Sequence, residues 1–256
     1  MRLWALILSI AVILGASPAP AATKSITGKD GALMVLVSAG WFIMGSNKYE
    51  DEKPQRRVYL DGFYIDKYPV TNARYHAAGT TPKRETKVDY HPVINGYSQP
   101  VVGVTWHQAK AYCEKAGRRL PSEAEWEKAA RGTDGRKYPW GNDWDASKVI
   151  WRKNSGGKTH PVDRTYNTHE SPYGAVDMAG NVWEWVNDLY GEDYYRNAPE
   201  RNPRGPNWGR LRVLRGGSWF GSYAGNFRAA VRLRFYPNSW IDWNDNWGFR
   251  CAKASG

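Results

Sequence analysis

The chain has 256 residues, 41% apolar and 24% charged, with a formal net charge of +11. That balance suits a folded domain with its own core and excludes a disordered tail or a bundle of membrane helices. Fourteen Trp and 16 Tyr beside 26 Gly and 15 Pro point to short elements and long loops whose core and pockets are built from large rings, and disfavour an architecture of long helices.

Met1-Arg2 precede an apolar run from Leu3 to Ala16, followed by Ser17-Pro18-Ala19-Pro20-Ala21-Ala22. A short basic start, an apolar stretch too short to span a bilayer comfortably and a small-x-small site at Ala19-Pro20-Ala21 read as a cleavable export signal, residues 1–22, with cleavage after Ala21 or Ala22. No later segment has the roughly 20 apolar residues of a membrane-spanning helix. Residues 23–256 are therefore expected as one exported domain, periplasmic in a Gram-negative cell.

Met34–Val37 and Gly40–Ser46 read as two strands around a turn, and Arg57–Leu60 with Phe63–Ile65 as a second pair around Asp61-Gly62, a dipeptide favoured in tight hairpins. Ala109, Tyr112, Cys113 and Ala116 recur at helical spacing after Thr105-Trp106, and Gly117 stops the run. Ser122-Glu123-Ala124-Glu125 is a capping box opening a second helix, with Ala129, Ala130 and the stop Gly132 behind it. Lys137 to Asn181 shows hardly any periodicity, and such a stretch inside a domain is usually functional or held by a bound ion. Tyr190 to Arg210 reads as a surface loop. Arg212–Arg215, Phe227–Arg232 and Trp247–Cys251 read as late strands, with loops between them carrying Trp219, Phe220, Tyr223, Tyr236, Trp240 and Trp243.

Two cysteines, Cys113 and Cys251, suit an oxidising compartment. Paired, they close a loop of more than 130 residues, which the loop-entropy model rates at roughly 4 kcal/mol or slightly more; two free, buried thiols are the alternative. Neither lies in a CxxC or beside a His, so metal-binding and nucleophile roles are not indicated. The basic surplus suits an acidic partner, but no zinc-finger spacing, basic heptad array or aromatic RNA-binding consensus accompanies it. A nucleic-acid partner is not expected.

Seven runs occur in order along the chain: Trp41-Phe42-Ile43-Met44-Gly45-Ser46, Tyr68-Pro69-Val70-Thr71-Asn72, Arg119-Leu120-Pro121-Ser122-Glu123-Ala124-Glu125-Trp126-Glu127, Tyr138-Pro139-Trp140-Gly141, Asp177-Met178-Ala179-Gly180-Asn181-Val182-Trp183-Glu184-Trp185, Arg215-Gly216-Gly217-Ser218-Trp219 and Gly248-Phe249-Arg250-Cys251. Together they resemble the formylglycine-generating-enzyme family, also called the sulfatase-modifying-factor domain. The resemblance implies an α+β, C-type-lectin-like fold with sparse secondary structure, small antiparallel sheets, a few short helices and ion-braced loops. It also implies a Cys113–Cys251 bridge, whereas a second family bridge would fall near Ala130 and Ala229, both Ala here.

Catalytic members are copper-dependent oxidases that convert a substrate cysteine to formylglycine, using two cysteines shortly after the Gly-Gly-Ser run. Thiolates are the soft ligands that cuprous ion prefers. The equivalent stretch here, Trp219 to Asn226, contains no Cys. No copper and no formylglycine generation are expected; nor is there room for the extra helical domain that supplies iron-binding histidines in the related sulfoxide synthases.

The resemblance assigns a structural calcium to Asp177, Gly180, Val182 and Glu184, two carboxylates and two backbone carbonyls of the hard-oxygen kind that Ca²⁺ takes. A second family calcium site needs an Asn near Val149 and is not expected. Ser218 is a weak candidate nucleophile, since no sequence feature nominates a base for it. Trp219, Phe220, Tyr223, Trp240 and Trp243 are candidate ligand-binding rings, with Arg228 and Arg232 as candidate receivers of an anionic ligand or acidic partner. The expected function is that of an exported, non-catalytic binding, accessory or regulatory factor, for example of a secretion system or envelope pathway, presenting its C-terminal loops to a protein or small ligand. The alternative is a periplasmic oxidoreductase-type maturation enzyme similar to the family member that helps to mature a pyoverdine chromophore.

Overall fold

The computed structural model describes residues 24–79, 95–239 and 245–256; the expected export signal and the rings Trp240 and Trp243 lie outside the described residues. Strand β2 (Leu33–Val37) pairs antiparallel with β5 (Phe63–Asp66), and β3 (Gly40–Met44) with β4 (Arg56–Leu60). The two expected short hairpins do not form. Registers Val37↔Phe63 and Gly40↔Leu60 make the four strands one long hairpin whose tip lies between Met44 and Arg56. Ser38-Ala39 and Asp61-Gly62 face each other at a bend in it.

The physical reason is burial. Val35, Val37, Phe42, Met44, Val58, Leu60, Phe63 and Ile65 belong to one apolar cluster, and a ribbon bent across its middle wraps all eight around that cluster. Backbone carbonyls freed at the bend need donors. Lys128 supplies them: its Nζ donates to the Ser38 and Gly40 carbonyls at 2.8 and 2.9 Å, and burial pushes its ammonium down to about 8.

Strands β1 (Ser25–Thr27) and β10 (Ala252–Ala254) complete the first sheet in the order β1-β2-β5-β10. A second sheet runs β8-β7-β6-β9, from β6 (Trp183–Leu189), β7 (Arg212–Arg215), β8 (Leu233–Phe235) and β9 (Trp247–Phe249), with β6 and β9 parallel. The strand expected over Phe227–Arg232 is absent. Ala224–Phe227 is a 3-10 turn, and Phe227, Arg228, Ala229 and Ala230 are all buried, a run that the alternation of a half-exposed strand does not allow.

Among the described residues four helices pack on these sheets: α1 (Asn72–Ala77), α2 (Trp106–Lys115), α3 (Glu123–Arg131) and α4 (Tyr194–Asn197). Helix α1 has no counterpart among the sequence expectations; Thr71 caps it by accepting the Arg74 N–H. The capping box at Ser122 and Glu125 forms as read, and Thr105 with Gln108 makes another on α2; each cap contributes about 1 kcal/mol. No described helix is long and apolar enough to cross a membrane.

A second core gathers Tyr75, Trp106, Tyr112, Leu120, Trp185 and Phe249 around the bridge between Cys113 and Cys251, whose Cα atoms are 5.6 Å apart. With a sequence separation of 138 between its ends, the bridge restricts the unfolded chain by roughly 4–5 kcal/mol in the loop-entropy model. Reduction, or the double change Cys113→Ala and Cys251→Ala, is expected to lower the denaturant midpoint without changing the far-ultraviolet dichroism of the folded protein.

Candidate functional site

The expected ligand-binding loop begins where β7 ends. Gly216 and Gly217 take positive φ values of 100° and 79°, and a Cβ on Gly217 would lie 2.6 Å from the Phe227 ring, so the chain turns here pressed flat against an aromatic side chain. Ser218 is buried, with its hydroxyl accepting from Asn246 Nδ2 at 3.2 Å. Among the described residues no base is hydrogen-bonded to it. Trp219 turns inward as well, its indole N–H donating to the Asp245 carbonyl at 3.3 Å.

Phe220 and Tyr223, in contrast, are 45% and 58% exposed. The Arg152 guanidinium lies 5.2 Å from the Phe220 ring, and Lys48 Nζ lies 6.0 Å from Tyr223 and 5.3 Å from Tyr49. These cations were not singled out from the sequence, because they come from residues 48 and 152, remote from the loop they flank. The result is an exposed aromatic face rimmed by positive charge.

Arg228 and Arg232 were expected as ligand receivers, but the structure buries both in ion pairs, although the Arg228 guanidinium also lies 5.1 Å from the Tyr49 ring. Arg228 is buried in a two-pronged pair with Glu52 at 2.8 and 2.7 Å. Arg232 holds Glu123 at 2.8 and 3.0 Å and donates to the Asp51 and Gly191 carbonyls. Glu123 also meets Arg215, which reaches Glu127 at 2.5 Å, and Glu127 takes Arg131 at 2.8 Å and the Gly45 N–H at 2.7 Å. Nearby, burial and then the charge of Glu123 push the Asp188 carboxyl well above the usual range. The terminal guanidinium nitrogens of Arg228 and Arg232 are taken up by carboxylates and backbone carbonyls of this network.

The loop assigned to calcium is sharply turned, with φ of 58° at Asp177, 84° at Gly180 and 63° at Asn181. A Cβ on Gly180 would sit 2.3 Å from a Val149 methyl and 2.6 Å from the Ile150 carbonyl, so only glycine fits there. Both carboxylates are present and buried, but both are already taken. Asp177 accepts from Arg164 at 2.6 and 2.9 Å and from Asn181 Nδ2 at 2.9 Å. Glu184 accepts from Arg250 twice at 2.7 Å and from the Trp126 indole at 2.7 Å. The Gly180 carbonyl accepts the Val182 N–H at 2.9 Å. Calcium requires six or more oxygens turned toward one point; here each carboxylate faces its own guanidinium, and the residues as arranged do not fit the ion.

His169 lies close enough to Asp177, Arg164 and Arg250 to feel their charges. It is buried, with Nδ1 bonded to the Lys148 carbonyl at 2.8 Å and its ring edge-on to Trp140 at 4.8 Å. Burial is the main cause that pulls its imidazole down from 6.5 to about 4.

Two outcomes are expected. The unfolded chain binds the His169 proton before the folded chain does, so this stabilisation is complete above pH 6.5 and is lost as pH falls toward 4. The contribution amounts to about 3 kcal/mol, and His169→Asn is expected to flatten the acid limb of a melting-temperature profile across that window. Chelator or added calcium is expected to leave the melting temperature unchanged, whereas Arg164→Ala, which strands a buried carboxylate, costs about 3–5 kcal/mol that calcium does not restore.

A family model described as a sulfatase-modifying factor enzyme 1-like domain matches residues 20–255. The chain is 37% identical to a serine/threonine-protein kinase pkn1 of Chlamydia caviae over 86% of its length, but spans only 38% of that kinase's. It is 33% identical to the formylglycine-generating enzyme of Streptomyces coelicolor, with 93% of each chain covered, and 31% identical to an inactive C-alpha-formylglycine-generating enzyme 2 of Mus musculus, with 87% and 86% covered. The structure of PvdO from Pseudomonas aeruginosa superposes with a TM-score of 0.75 at 28% identity, covering 93% of this chain and 100% of that one. With its ordered motifs, its sparse α+β architecture and a Gly221–Asn226 segment free of cysteine, the chain belongs to the sulfatase-modifying factor, or formylglycine-generating-enzyme, family as a member without the paired copper-binding cysteines.

Proposed function

We infer that this protein is an exported, non-catalytic member of its family, a binding, accessory or regulatory factor that engages an acidic protein or small anionic ligand through the face around Phe220 and Tyr223. One observation carries the reading: the segment that holds the copper thiolates in catalytic relatives has none here, while the rings at its edge stay exposed beside Lys48 and Arg152. Soft-metal oxidation needs thiolate ligands that Gly221, Ser222 and Ala224 do not supply. Exposed aromatics with cations at their rim supply contact area and electrostatic steering instead. A relative named inactive fits this reading, and export rests on the basic start and apolar run of residues 1–22.

Catalysis is tested by incubating the purified chain with copper and a cysteine-containing sulfatase peptide while following aldehyde formation and oxygen uptake with thiol and phenol substrates. Neither turnover nor tightly held copper is expected; aldehyde formation would overturn the reading. Binding is tested with immobilised protein and acidic envelope fractions. The double change Phe220→Ala and Tyr223→Ala is expected to weaken retention at least about tenfold, the loss of one good contact of about 1.4 kcal/mol, with the melting temperature unchanged.

A further inference from the structure

A concave site lies apart from the Phe220–Tyr223 face and is built by different elements. The chain between β6 and β7 folds into a groove of about 570 Å³ lined by Tyr190, Tyr194, Pro206 and Trp208, with Glu192, Asp193 and Asn197 as its polar members. That volume lies within the range of small-molecule sites. The segment that forms it is tied back by the backbone: the Tyr190 N–H donates to the Leu211 carbonyl at 2.8 Å, the Tyr59 N–H to the Glu200 carbonyl at 2.7 Å, and the Asn202 N–H to the Tyr59 carbonyl at 2.9 Å. Pro206 packs against Gly191, where a Cβ would come within 3.2 Å of the proline ring. Trp208 stands in the groove wall 84% exposed, an indole that the fold does not use for its own core.

We propose that this groove binds a neutral carbohydrate, with the Trp208 indole as the platform for the apolar C–H face of a pyranose ring and Glu192, Asp193 and Asn197 as partners for its hydroxyl groups. The choice of ligand follows from the charges around the groove. The ring of Tyr190 already carries the Arg232 and Arg234 guanidiniums at 4.7 and 4.5 Å, and its hydroxyl donates to Asp51 at 3.1 Å, so its π face is committed and offers no cage for an organic cation. Two carboxylates in the groove repel an anion. Asp193 is paired with Arg196 at 3.0 Å, but Glu192 has no ion pair among the described residues, and a carboxylate is an acceptor-only group that hydroxyl donors satisfy with charge-assisted bonds. A ligand with one flat apolar face and a rim of hydroxyls matches an exposed indole bordered by carboxylate and amide groups.

The test is calorimetric titration of the purified chain with cellobiose, maltose and N,N′-diacetylchitobiose, with tryptophan fluorescence as a second readout and choline and inorganic phosphate as competing probes. Saturable binding of at least one disaccharide is expected, with a dissociation constant on the order of 1 mM. Trp208→Ala is expected to weaken it at least about tenfold and Glu192→Gln severalfold. Both side chains belong to an open groove and neither belongs to a core cluster, so both variants should melt as the parent does. Failure of all three sugars to saturate, binding unaffected by Trp208→Ala, or saturation by choline or phosphate in their place would each overturn the proposal. None of these outcomes bears on the copper or loop-face experiments.

Discussion

The buried pair of Glu184 and Arg250 is the joint on which the two sheets depend. Both side chains are fully enclosed, and an ion pair in such a place is tolerated only when desolvation is offset by complete hydrogen bonding. Arg250 meets that condition: its five N–H groups reach both oxygens of Glu184 and the carbonyls of Asp66, Lys67 and Val176. Glu184 sits on β6, Arg250 follows β9, and Asp66 closes β5, while the Trp126 indole brings α3 to the same carboxylate. One side-chain contact thus couples the second sheet, the end of β5 in the first, helix α3 and the turn before Asp177.

The same device recurs through the interior. Asp66, Glu123, Glu127, Asp177 and Glu184 are buried and paired with arginine. Ala130 and Ala229, where relatives carry a second bridge, lie together in the first apolar cluster, beside the Arg215 guanidinium that the Ala229 and Ala230 carbonyls help to hold. Guanidinium groups are suited to this work because they stay charged and present donors in a fixed fork. Arg164 performs it for Asp177 at the position where a calcium ion was expected. Buried ion pairs thus brace the interior beside the one Cys113–Cys251 bridge.

This internal pairing has a consequence for the surface. Arginines paired inside are unavailable outside, and Lys48 and Arg152 are exposed-face cations that flank the exposed rings. The open groove carries two carboxylates, Glu192 and Asp193, on a chain of net charge +11.

Features closed within a few residues were legible in the sequence. The Ser122–Glu125 capping box, the glycine stops after α2 and α3 and the irregularity of residues 137–181 depend on hydrogen bonds and dihedral preferences local to each segment. The ordered motifs carried the fold and the absence of copper thiolates, because both are matters of which residue stands where. Tertiary structure alone decided partner choice. Glu52 finds Arg228 across 176 residues and Glu123 finds Arg232 across 109, and nothing local distinguishes such arginines from solvated ones until a core forms around them. The Asp61-Gly62 turn signal became a bend for the same reason: a dipeptide states that the chain can turn, while the burial of eight apolar side chains on one cluster settles how far.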